Sequence, residues 1–151
     1  MSEQRECKGV ALRLLAIREH SRYELAQKLR QRCACDAESL AQLLDKLQEV
    51  GYLNDLRYAE AFSRSAIARG RGPQRIAFEL SEHGVAKAII SQVLAAVDTD
   101  WCVLASEQRA KKFGREIPTE YKERARQSRF LAARGFYTDT IKAVFQRLPY
   151  E

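Results

Sequence analysis

Gly51-Tyr-Leu-Asn-Asp-Leu-Arg-Tyr-Ala59, continuing to Arg69-Gly-Arg-Gly-Pro-Gln-Arg-Ile76 and Glu79-Leu-Ser-Glu-His-Gly-Val85, reads as one helix, a glycine-proline break and a second helix. Asn54 and Asp55 supply N-cap chemistry, Leu56, Ala59, Phe62 and Ala66 recur at helical spacing, and Pro73 suits a first helical turn. Gly84 is placed for a left-handed C-cap. Arg57, Arg64, Arg69, Arg71 and Arg75 crowd this stretch, so a small protein carries a concentrated basic surface at its middle.

The same punctuation extends in both directions. Upstream, a helix over residues 6–19 carries Val10, Ala11, Leu14, Leu15 and Ile17. Ser21 and Glu24 have the form of a capping box for a second helix. Asp36 caps a third, with Leu40, Leu43, Leu44, Leu47 and Val50 on its apolar stripe and Gly51 at its end. Downstream, Ile89, Ile90, Val93, Leu94 and Val97 mark a sixth helix from about Ala86, and Asp100 caps a seventh that begins at Trp101 and turns basic at Arg109. Residues 114–118 form a loop, Thr119 is placed to cap an eighth helix carrying Tyr121, Ala125 and Leu131, and a ninth runs from Asp139 to Leu148. Alternation with a period of two is absent, so the class is all-α.

Leu80, Gly84, Val85, Ile90, Val93, Leu94 and Val97 each recur 51 residues later, as Leu131, Gly135, Phe136, Ile141, Val144, Phe145 and Leu148. A shared helix, glycine stop and second helix is the mark of a repeat, and Leu29 followed by Leu40, Leu43, Leu44 and Leu47 fits a first copy with Cys33 at the glycine position. Three tandem three-helix repeats, residues 1–53, 54–98 and 99–151, follow. Units of this size bury their faces by stacking, which predicts an elongated, curved body.

Composition narrows the function. The chain has 151 residues, 46% hydrophobic and 30% charged, with a net charge of +6. The excess lies in the last third, where eleven Lys and Arg face seven Asp and Glu, and it suits a polyanion or an acidic protein surface. The four cysteines do not form a disulfide framework or a zinc pattern, so no metal is expected. Without a long apolar run or a signal-like N-terminus, the expectation is a cytoplasmic protein that engages no membrane. Neither a catalytic triad spacing nor a phosphate-binding glycine loop is present, and Asp55 and Glu60 read better as a cap and a solvated position than as paired catalytic carboxylates; an enzyme is not expected, nor a cofactor.

The candidate binding residues are therefore basic: Arg57, Arg64, Arg69, Arg71 and Arg75 around the Gly-Pro junction, Lys111, Lys112 and Arg115 beside the loop, and Arg126 on the eighth helix. Phe62, Trp101 and Phe145 lie on apolar stripes and read as core. Tyr52, Tyr58 and Phe136 read as staples beside turns, and His83 as a hydrogen-bonding group at a helix end.

Gly51-Tyr-Leu-Asn-Asp55 with Arg57-Tyr-Ala59, Phe62, Gly72-Pro73, Arg75-Ile76, Glu79-Leu80 and Gly84-Val85 resembles the RecX family of bacterial recombination regulators. Arg134-Gly-Phe136 with Ile141 is similar to its third repeat, and Ala16-Ile-Arg-Glu-His-Ser21 with Glu24-Leu25 to its first. The resemblance implies a regulator without catalysis, acting in recombination, repair and the SOS response. Its implied partner is the RecA filament on single-stranded DNA, whose extension, ATPase, strand exchange and coprotease activities such proteins depress. A monomer is expected. The chain departs from the family pattern at Ala66, where a basic residue is frequent, and at Cys33, which replaces a glycine. The rival reading is a helical nucleic-acid module working through phosphate contacts, since the sixth helix offers only Lys87, Ser91 and Gln92 for base reading.

Overall fold

The computed structural model describes residues 2–146, and among them it contains nine helices and no strand: α1 (Ser2–Ile17), α2 (Arg22–Arg32), α3 (Ala37–Glu49), α4 (Asp55–Ala68), α5 (Pro73–Glu82), α6 (Lys87–Ala96), α7 (Trp101–Phe113), α8 (Tyr121–Ala133) and α9 (Thr138–Gln146). Leu148, expected at the end of the last helix, lies outside the described residues.

Most boundaries have the chemistry expected of them. The Ser21 and Asp36 side chains accept from the backbone N–H of Glu24 and Ser39, that of Asn54 from Arg57, and that of Asp100 from Cys102 and Val103. Four helices end in the same way. The N–H two residues beyond the last helical turn returns to a carbonyl five residues back, in Tyr52 to Leu47, Arg71 to Ala66, Val85 to Leu80 and Phe136 to Leu131, with Gly51, Gly70, Gly84 and Gly135 at positive φ.

Three local expectations are corrected. Glu24 does not reach back to the Ser21 N–H to close the capping box, because Arg18 holds its carboxylate at 2.5 Å; separately, the N–H of Arg22 donates to Asp55 at 2.8 Å. The N-cap of α8 is Glu120 and not Thr119, and no side chain caps it. Tyr121 and Tyr52 are solvent-exposed at 83% and 57%, so neither acts as a staple or a core residue.

The chain divides into two compact units, Met1–Phe62 with Leu80–Val93, and Ser63–Glu79 with Leu94–Glu151. In the first, α1, α2 and α3 pack around Ala11, Leu14, Leu25, Leu29, Leu40, Leu44 and Leu47. Tyr58 and Phe62 of α4 meet His83, whose Nδ1 lies 2.7 Å from the Tyr58 hydroxyl. Cys7 is fully buried, and that burial, reinforced by contact with Cys33 and Cys35, raises its thiol pKa to about 12. In the second unit, α7, α8 and α9 enclose Ala105, Leu131, Phe136, Ile141, Val144 and Phe145, with Trp101 against the same core.

Each unit contains one backbone junction, and the two junctions correspond across the 51-residue offset. In the first, the Ser21 hydroxyl donates to the carbonyl of His83 at 2.7 Å, and a side chain on Gly84 would strike the Cβ of Tyr23. In the second, the N–H of Gly72 donates to the carbonyl of Arg134 at 2.8 Å and that of Gln74 to Gly135 at 2.9 Å. A Cβ on Gly72 would lie 2.5 Å from the Gly135 backbone, and one on Gly135 would lie 2.3 Å from the Cβ of Arg75. Two N–H groups left open at the start of α5 thus find their acceptors at the end of α8.

Replacing Gly72 by Ala should cost about 2–3 kcal/mol in urea unfolding, because backbone must move to admit the methyl group. Gly51→Ala, with open space around the Cβ but φ at +85°, should cost only about 1 kcal/mol of left-handed strain. Equal costs would mean that the close approach at Gly72 is not required.

Buried His20 gives a pH test. Its Nδ1 lies 3.1 Å from the Arg18 carbonyl and its Nε2 lies 2.9 Å from the Lys28 ammonium, a pairing that suits a neutral ring with its proton on Nδ1. Burial is the largest cause lowering its pKa. Below about pH 6.5 the unfolded chain gains a proton that the folded ring resists, so this contribution to stability is complete above about 6.5 and is lost as pH falls. Urea midpoints should drop as pH falls below about 6.5, and the slope should flatten in His20→Gln. An unchanged slope in the variant would exclude His20 as its source.

Candidate basic binding site

The second unit gathers basic side chains from three segments that are distant in sequence. Ala68 and Arg69 end α4, Gln108, Lys111 and Lys112 lie on α7, and Phe130 and Arg134 end α8; together they line an open pocket of about 290 Å³. Gly70 holds the α4 end against α7, since a Cβ there would overlap the Gln108 side chain. Arg134 is anchored through its carbonyl to Gly72, and its guanidinium stacks over Phe130 at 5.0 Å.

Arg71 sits beside this pocket. Partial burial, then the positive charges of Arg75, Arg134 and Arg69, lower its pKa, and Glu79 offsets them only in part. An arginine stays protonated under such pressure, so the cluster keeps a strong positive potential that an anion would relieve. Arg75 is less available. Its guanidinium donates to Glu79 at 2.8 Å and its Cβ packs against Gly135.

Of the residues expected from sequence, Arg69, Lys111 and Lys112 line the pocket and Arg71 adjoins it. The others are placed differently. Arg57 belongs to the first unit, where it is paired with Glu19. Arg64 is exposed on α4 outside the pocket lining. The Arg115 carbonyl accepts from Arg109 at 3.0 Å while its side chain is exposed. Arg126 is held by Glu123 at 2.8 Å and stacks over Phe113 at 4.9 Å; its hydrogen bond, with that of Gln127, lowers the Glu123 pKa to about 2.

Ala66 explains part of this layout. It is buried, and its carbonyl accepts from Arg69 and Arg71, so the face of α4 it occupies is packed and the charge emerges one turn later.

Arg134 and Gln108 were not singled out as site residues by the sequence. The signal for Arg134 was its position immediately before Gly135, equivalent to His83 before Gly84. Arg109 is a different kind of cation. It is 3% exposed, it donates to the carbonyls of Arg115 and Glu116 and to Gln127 at 3.0–3.2 Å, and burial depresses its pKa. It ties the α7–α8 loop to the core and is unavailable to a ligand.

Three family models match in tandem: the first, second and third three-helix domains of RecX, over residues 7–47, 54–94 and 98–145. The chain belongs to the RecX family. The regulatory protein RecX of Halorhodospira halophila is 45% identical over 136 residues, covering 90% of this chain and 84% of that protein. That of Acidithiobacillus ferrooxidans is 39% identical and covers 95% and 91%. The crystal structure of RecX from Lactobacillus salivarius shares the fold, with a TM-score of 0.81 at 22% identity over 99% of each chain.

The two classes of cation should separate on mutation. Arg109→Ala should lower stability by about 2 kcal/mol, since it strips a charged donor from two carbonyls and Gln127, and should expose the 114–120 loop to protease. Arg69→Glu should leave urea unfolding within about 0.5 kcal/mol of the parent. Equal destabilisation by both would refute the division into a structural and a surface cation.

Proposed function

We propose that this RecX-family chain binds the RecA filament on single-stranded DNA and restrains its extension, thereby lowering ATP hydrolysis, strand exchange and coprotease activity. Membership of the family supports a regulatory role. The observation that carries the contact chemistry is the convergence of Arg69, Arg71, Lys111, Lys112 and Arg134 at one place in the second unit.

A filament offers two anionic surfaces, nucleic-acid phosphates and acidic protein side chains. Arginine forks and lysine ammonium groups engage both, and contacts to phosphate release counterions and so weaken as salt rises. The proposed action is binding, without catalysis, by a monomer in the cytoplasm where such filaments form. Recognition of base edges is not part of it, because the exposed polar residues of α6 include a single cation, Lys87.

The test follows ATP hydrolysis by RecA on single-stranded DNA as the chain is added at up to equal amounts. Hydrolysis should fall, and the combined variant R69E, K111E and K112E should need at least about tenfold more protein for the same inhibition while unfolding like the parent. Direct DNA binding, measured across salt, should lose about 2 units of log–log slope in that variant if all three cations touch phosphate. No inhibition by the parent would overturn the RecA reading, and inhibition unaffected by the triple variant would remove this pocket from it.

A further inference from the structure

The first unit carries a second surface, of different chemistry, that the basic site does not use. Leu40, Leu44 and Leu47 of α3 belong to the core, and Leu43 packs against them half-buried. The apolar surface continues past the end of α3 to residues the core does not cover: Val50 and Tyr52 stand 55% and 57% exposed. Between this edge of α3 and the start of α1 lies a groove of about 450 Å³, within the range of roughly 300–1,000 Å³ that accommodates ligand groups.

Its rim has one sign. Arg5 and Lys8 on α1 and Lys46 on α3 line the groove, and no carboxylate does. Among the described residues none of the three is within ion-pair distance of an acidic side chain. Ser39, Gln42 and Gln4 add hydrogen-bonding groups at the edge. An apolar floor with unpaired cations on both walls is complementary to a helix or extended segment that presents aliphatic side chains on one face and carboxylates beside them. A second copy of this chain is a poor match, because the chain carries a net charge of +6.

We propose that the α1–α3 groove is a docking site for an acidic, amphipathic segment of a partner protein, with the aliphatic side chains on Leu43, Val50 and Tyr52 and the carboxylates against Arg5, Lys8 and Lys46. The site is independent of the basic pocket of the second unit and would give the protein a second point of attachment. Because the two attachments would act together, even a weak groove contact would raise the affinity for a partner that offers both features.

The experiment uses the full chain and three fluorescent 16-residue peptides, read by anisotropy. The first has leucines at helical spacing among glutamates, the second has the leucines replaced by glutamine, and the third has the glutamates replaced by lysine. The first should bind saturably at about 10–100 μM, and the other two at least about tenfold more weakly. V50E and Y52E, both at exposed positions and so expected to melt like the parent, should each weaken the first peptide about tenfold, and K46E should weaken it while improving the third. Absence of saturation by about 1 mM, or equal binding of the first and second peptides, would overturn the proposal. So would a concentration-dependent dimer in sedimentation that V50E abolishes, since a second copy would then occupy the groove. R69E, K111E and K112E together should leave peptide binding unchanged, which separates failure here from failure of the RecA reading.

Discussion

The organisation of this protein depends on what happens to the carbonyl before a turn glycine. At His83 and at Arg134 a helix has ended, the next residue is a glycine at positive φ, and the carbonyl faces the start of a helix from the preceding repeat. A buried acceptor left open there would cost about 1–3 kcal/mol. One junction fills it with the Ser21 hydroxyl and the other with the N–H of Gly72, and each compact unit contains one of them. A fold made of short helices gains its specificity from such contacts, because apolar stripes alone tolerate rotation and sliding.

The two junctions also show how a repeat diverges without losing its geometry. Arg22 opens α2 with an N–H that has no acceptor within its own helix, and the carboxylate of Asp55, the first residue of α4, accepts it. Pro73 opens α5 and has no N–H to satisfy. The residue that opens α7 is Trp101, which offers no acceptor and lies against the core instead. The polar demand and its remedy disappear together, and the freed position contributes apolar surface. Ser21 gives way to Gly72 by the same logic, since the closer backbone approach of the second junction leaves no room for a Cβ.

Much of this was legible in the sequence because glycine, proline and cap residues punctuate short helices strongly, and because the 51-residue offset tested each assignment against a second copy. What escaped was the direction of individual long side chains. In sequence Arg109 leads into the basic run of Lys111 and Lys112, yet Trp101, Ala105 and Arg109 fall on one stripe of α7, and that spacing carries Arg109 inward. Its burial is tolerable only because two loop carbonyls and Gln127 converge on it, a circumstance of tertiary structure that periodicity does not encode. Thr119 had suitable cap chemistry one residue too early, and Tyr52 had an aromatic ring beside a turn with nothing above it. At the candidate site, sequence reasoning found the cations of α4 and α7 but passed over Arg134, whose membership depends on α8 ending beside them.

The basic cluster and the second junction share residues, and that has a consequence for how charge is held. Arg134 gives its carbonyl to Gly72 and its guanidinium to the face of Phe130, Arg75 packs its Cβ on Gly135 while pairing with Glu79, and Arg71 lies between them. With Arg69 these make four arginines close enough to repel one another, and the repulsion is borne by a backbone contact that admits little movement. A flexible surface would relax by letting the side chains spread into solvent; here Arg75 and Arg134 have part of their length fixed. Part of the entropic cost of assembling a multivalent cationic site is therefore met on folding, before any anion arrives. The packing that joins the second repeat to the third thus also preorganises the charge, and a substitution that loosens the glycine contact would spread the cluster even with every cation still present.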